Sequence, residues 1–169
     1  MLGGVISIKI LTDIIKNSVA LYMVEMLQKC LKQPEANADL FNFCEDAFMQ
    51  LDTADDDITA NFPIYFALQL ADFFGLRIQD NYSLEKKFFN IKEGNFTDTT
   101  TENDFSLNAD TSSHLGNLLK AVHPMDLIEI KLNKNIRKNI LAALENYYNF
   151  HIAEFGVMKT LPILHLLLG

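Results

Sequence analysis

Residues 61–75, NFPIYFALQLADFFG, constrain the fold more than any other stretch. Tyr65, Phe66, Leu68, Ala71 and Phe73, with Gln69 and Asp72 among them, recur at helical spacing, and the segment reads as a helix over 62–74. Asn61 is placed to cap it, and Pro63 falls in its first turn, where a missing amide costs nothing. Gly75 ends it in the usual C-terminal manner. Such a helix is apolar on nearly every side. It cannot lie on a surface, so other helices must surround it.

The rest of the chain supplies those helices. Ile14, Ile15, Ser18, Val19, Tyr22, Met26 and Leu27 recur at three- and four-residue spacing and predict a helix over 13–31. Pro34 then breaks the chain. Leu40, Phe41, Cys44, Ala47, Phe48 and Leu51 form the apolar face of a second helix over 37–51. Residues 52–59, DTADDDIT, read as a solvated turn. They lack the alternating oxygen ligands, central glycine and terminal glutamate of a calcium loop. A short helix over 112–121, a connector over 125–132 and a strong helix over 133–151 follow. Phe155-Gly156 turns the chain, and Thr160 is placed to cap a last helix over 161–168. Residues 5–11 alternate loosely, as a strand remnant or leading coil would. The expected fold class is mainly α: a leading segment 1–12, then a helical bundle 13–169.

Residues 77–111 differ in kind. FFNIKEGNF reads as strand, turn, strand around Lys92-Glu93-Gly94-Asn95, and TDTTTEND as an exposed loop. This is an insertion with a small hairpin and little core of its own. It holds no cysteine and no histidine.

Charge limits the function. The chain carries net charge −8, unevenly spread. Residues 33–76 hold nine acids and no Lys or Arg, whereas from His114 onward six basic residues face four acids. Uniform coating of nucleic acid is excluded, since a polyanion needs a basic surface. A local patch remains: Lys131, Lys134, Arg137 and Lys138, four basic residues within eight. They read either as a solvated helix start or as a contact for phosphate.

Enzyme chemistry finds no support. His114, His123, His151 and His165 lack an orienting acid and a nucleophile at useful spacing, and read as helix-end or half-buried histidines. Asp55, Asp56 and Asp57 are consecutive, so their side chains diverge. No phosphate-cradling loop or dinucleotide fingerprint occurs. Cys30 and Cys44 make neither a disulfide scaffold nor a zinc site and read as free thiols. The apolar tail 161–168 has eight residues, with a proline and a histidine inside, too short for a membrane span. No metal, cofactor or membrane contact is expected, and the expected location is cytoplasmic.

Three ordered stretches carry a resemblance: SVALYMVEML from Ser18, NFPIYFALQLADFFG from Asn61, and YYNFHIAEFGVMKTL from Tyr147. With their spacings, and with FFNIKEGNF between them, they resemble the C-terminal helical part of the recombination mediator RecO in its Bacteroidetes form. The resemblance runs from about Asp13 to the end. The family's N-terminal oligonucleotide-binding barrel has no counterpart here, because residues 1–11 are too few to build one. Some members carry a four-cysteine zinc module in the insertion, and this sequence departs from that pattern. The resemblance implies an accessory, non-enzymatic role in DNA repair: supporting single-strand annealing and RecA loading through contacts with RecR, single-strand binding protein and single-stranded DNA. It also implies a ligand, the acidic C-terminal peptide of single-strand binding protein, which ends in an apolar residue. For that peptide, Arg137 is the expected bidentate holder of the terminal carboxylate, with Lys131, Lys134 and Lys138 nearby and Ile136, Ile140 and Tyr147 as apolar surface. The alternative is a helical scaffold or dimerisation module with no nucleic-acid role.

Overall fold

The computed structural model describes residues 8–34 and 36–168. Asp13 caps α2 (Ile14–Cys30) by accepting from the amides of Ile15 and Lys16, and a short α1 (Ile8–Thr12) precedes it. Of the loosely alternating segment 5–11, residues 5–7 lie outside the described residues, and the rest is helix rather than strand or coil. Asn37 caps α3 (Ala38–Thr53) through the Leu40 amide.

The central helix, α4 (Asp56–Phe73), starts well before its expected position at 62. Asp55 accepts from the Ile58 amide, and Asp56 and Asp57 occupy the first turn, where carboxylates meet the positive end of the helix. The acidic run is thus a helix start, not a solvated turn, and Pro63 lies inside the helix rather than at its first turn. Gly75 takes φ +68°, and the Leu76 amide reaches back to the Ala71 carbonyl, which closes the helix in a Schellman arrangement. Phe62, Ile64, Phe66, Ala67, Leu70 and Ala71 are at most 1% exposed, so α4 is enclosed as its sequence requires.

The insertion forms a hairpin, β1 (Phe88–Asn90) and β2 (Asn95–Thr97), in antiparallel register with Phe89 opposite Phe96. It contributes more core than expected. Phe89, Ile91 and Phe96 are buried; the Phe89 carbonyl of β1 accepts from the Leu107 amide, and just past the strand the Ile91 amide donates to the Phe105 carbonyl. The side chain of Asn108 caps α5 (Ala109–Leu119). Ser112, fully buried on α5, accepts from the Phe89 amide and donates to the Leu107 carbonyl, locking the hairpin to the helix.

A 3-10 turn, Pro124–Glu129, leads to α6 (Lys134–His151), which Asn133 caps through the Ile136 amide. The last element, α7 (Leu161–Leu167), packs on α2 and α6 through Leu161, Leu164 and the following Leu168. Thr160 does not cap it as expected. Its hydroxyl donates instead to the Glu25 carboxylate, which also accepts from the Lys159 and Thr160 amides just before the helix. Both α3 and α6 pack on α4.

Candidate functional site

The four basic residues of the predicted patch do not act alike. Helical spacing puts Lys134, Arg137 and Lys138 on one flank of α6, while Ile136, Ile140, Leu144 and Tyr147 take the inner face. Ile136, Ile140 and Tyr147 are 7%, 0% and 3% exposed, so the core consumes them and they offer no apolar surface to a ligand.

Lys131 lies before the helix and gives its ammonium to the Asp57 carboxylate at 2.8 Å, both side chains exposed. That hydrogen bond, with the negative charges around it, raises the lysine's pKa. Arg137 turns inward. Its Nε donates to Asn61 Oδ1 at 3.1 Å, Nη2 to the Leu132 carbonyl at 3.1 Å and Nη1 to the Leu168 carbonyl. Asn61, expected as a helix cap, is 2% exposed and passes the linkage on by donating to the Ile130 carbonyl. Burial lowers the arginine's pKa from its ordinary value. Its fork therefore ties α4, the segment entering α6 and the end of α7 together. Lys134 and Lys138 remain exposed, with no ion pair to a described residue.

An imidazole joins these two from α7. Lys134, Arg137, Lys138 and His165 line the α6–α7 seam with Leu141, Leu164 and Leu168. Burial first, and then the charge of Lys138, lower the pKa of His165. The seam encloses only about 10 Å³, so it is a closed ridge rather than a pocket. Its exposed apolar component lies on the outer side of α7, where Ile163 is 48% and Leu166 81% exposed. On the other side of Arg137 is a cavity of about 200 Å³, lined by Ile15, Ala60, Leu167 and Leu168 but also by Asp13 and Asp56. Those carboxylates oppose an anionic ligand there.

A groove of about 540 Å³ runs between α5 and the 3-10 turn. Its charges are mostly committed within the chain. Lys120 bonds Asp80, Lys131 bonds Asp57, and Asp126 accepts from the amides of Val122 and His123. No set of three His, Cys, Asp or Glu is placed to hold a metal ion among the described residues. Burial pushes the Cys30 thiol up to about 12 and the Cys44 thiol up to about 11, so neither presents a thiolate at neutral pH. No helix among the described residues is long and apolar enough to cross a membrane.

The chain itself has relatives. Residues 11–160 match the family described as "Recombination protein O C terminal". The chain belongs to that family. It is similar to proteins named DNA repair protein RecO from Christiangramia forsetii, 30% identical over 94% of this chain and 64% of that protein, and from Azobacteroides pseudotrichonymphae, 24% identical over 94% of this chain and 65% of that protein. Another, from Flavobacterium johnsoniae, is 30% identical over 90% of this chain and 62% of that protein. The chain thus spans slightly less than two thirds of the length of these RecO proteins. No solved structure matches it.

Sequence reasoning placed the basic cluster on α6 but missed which of its members stay available. It missed Asp57 and Asn61 as partners of Lys131 and Arg137, and it missed His165 as a neighbour of Lys138. The pairs Asn61–Arg137 and Arg137–Leu168 are 76 and 31 residues apart, and no local pattern signals such contacts.

Proposed function

We propose that the chain is the helical domain of a cytoplasmic DNA repair and recombination mediator of the RecO kind. It acts without turnover, through contacts with RecR and single-strand binding protein. The α6–α7 face receives the acidic C-terminal peptide of the latter. The observation that carries this reading is the pair Lys134 and Lys138, exposed and with no ion pair to a described residue, beside His165, one residue from the exposed Leu166. An acidic peptide ending in an apolar residue finds there a local positive potential in a chain of net charge −8, with an apolar ridge for its terminus. Arg137 supports the site by holding Leu168 rather than by gripping the peptide carboxylate. Single-stranded DNA is the weaker ligand. Lys131 is neutralised by Asp57, and Asp56 lies near Arg137, which leaves few cations to trade for phosphate counterions.

Calorimetry with a synthetic acidic peptide tests this. The Lys134→Ala, Lys138→Ala double variant should bind at least about tenfold more weakly, as loss of two steering charges implies, and Leu166→Ser should weaken binding independently. Unchanged affinity in both would remove this face from the function. Absence of binding to the unmodified chain would favour the scaffold reading.

A further inference from the structure

We propose that the outward face of α3 is a second docking surface, shaped for a basic amphipathic helix of a protein partner. It is separate from the α6–α7 face, and it stands whether or not that face binds an acidic peptide.

The geometry starts from what fixes the rotation of α3. Leu40, Ala47 and Leu51 are buried, and Phe43 stacks on Phe66 and Phe73 of α4 with ring centroids 5.4 and 5.2 Å apart. At the helix end, Lys16 of α2 donates to the Asp52 carbonyl, and Asp52 Oδ1 accepts from the Ile10 amide of α1. With that side held, two ridges at i, i+4, i+8 turn outward. One is Phe41, Glu45, Met49, with Glu45 half-buried between its exposed neighbours; the other is Asn42, Asp46, Gln50, all exposed, with Asp39 beside it. Phe41 is 51% and Met49 44% exposed. The first ridge therefore places an acid between two large apolar side chains about 12 Å apart, by helical rise.

The charge decides the occupant. Asp39, Glu45 and Asp46 have no ion pair among the described residues, and α3 contains no Lys or Arg. Residues 33–76 carry nine acids and no Lys or Arg. A nucleic acid or an acidic segment is repelled here. A helix bearing apolar anchors at i, i+3/4 and i+7, with Lys or Arg between them, matches both the spacing and the sign. Met49 adapts its shape to an incoming side chain, and Phe41 supplies rigid contact area.

The probe is a fluorescein-labelled 18-residue synthetic helix with leucines along one face and lysines flanking them, beside the same peptide with glutamate for lysine. Anisotropy titrations use the full chain. The lysine peptide should bind and the glutamate peptide should not. The Phe41→Ser, Met49→Ser variant and the Glu45→Lys, Asp46→Lys variant should each bind at least about tenfold more weakly, the size expected for truncating interface anchors. A Glu85→Lys, Asp98→Lys control makes the same charge change on the insertion and should bind as the parent does. Equal weakening in that control would mean that net charge alone drives binding and would overturn the proposal. So would unchanged affinity in the two α3 variants. A parent chain that sediments as a dimer, with the Phe41→Ser, Met49→Ser variant monomeric, would assign the face to a second copy and also overturn it.

Discussion

Glu25 and Arg137 hold opposite ends of α7. The Glu25 carboxylate accepts from the Lys159 amide at 2.6 Å, the Thr160 amide at 2.9 Å and the Thr160 hydroxyl at 2.6 Å, while Arg137 donates to the Leu168 carbonyl. An anion at the N-terminus and a cation at the C-terminus both oppose the helix dipole. A seven-residue helix needs such help, because it is too short to be stable alone. Burial pulls the Glu25 pKa up, but the hydrogen bonds from Thr160 and Lys159 and the charge of Lys29 outweigh it, and the net shift is downward. A depressed folded-state pKa contributes stability that is full above the unfolded carboxylate value and lost as pH falls through the folded one. Glu25→Gln should therefore melt below the parent at pH 7, and the gap should close as the pH drops below about 4, the ordinary range of a glutamate. Melting curves at pH 7 and pH 3 check this. A gap of constant size would show that the carboxylate's charge contributes nothing.

At the scale of elements, the hairpin is keyed into α6 by one glycine. Gly94 adopts φ +67°, and a Cβ there would meet Tyr147 Cε2 at 2.7 Å. That ring is not free to move, because its hydroxyl donates to the Leu76 carbonyl at 2.7 Å. Gly75 has a similar φ of +68° but nothing within 4 Å of its would-be Cβ. Gly94→Ala should thus cost about 2–3 kcal/mol, strain plus clash, and Gly75→Ala about 1 kcal/mol, strain alone. Urea midpoints compare the two directly, and equal losses would contradict the keyed docking. The hairpin, its turn and the closing glycine of α4 were all legible in the sequence, because turn chemistry is local. So were α2, α3 and α6, whose periodicity and cap residues agree. The start of α4 was not. Pro63 and Asn61 together mimic a helix entry, and their signal masked the true one, in which Asp55 caps and two acids fill the first turn. The candidate site was legible as a location on α6 but not as a division of labour. Whether a cation faces solvent or a backbone carbonyl depends on partners from α4 and α7 that only the tertiary fold brings near.

The whole molecule separates its charges around α4. The acidic α3 and the α6 that carries Lys134 and Lys138 both pack on that helix. On the proposed reading, a chain of net charge −8 should repel an anionic ligand over most of its surface and draw it to the α6–α7 face, an attraction that salt should screen. Amide chemical-shift mapping by NMR, with an acidic peptide ending in an apolar residue titrated into the full chain, tests this claim most directly. The shifts should concentrate at residues 134–138 and 161–167, diminish as salt is raised, and leave α3 unmoved. Shifts centred on α3, or none at millimolar peptide, would contradict the account.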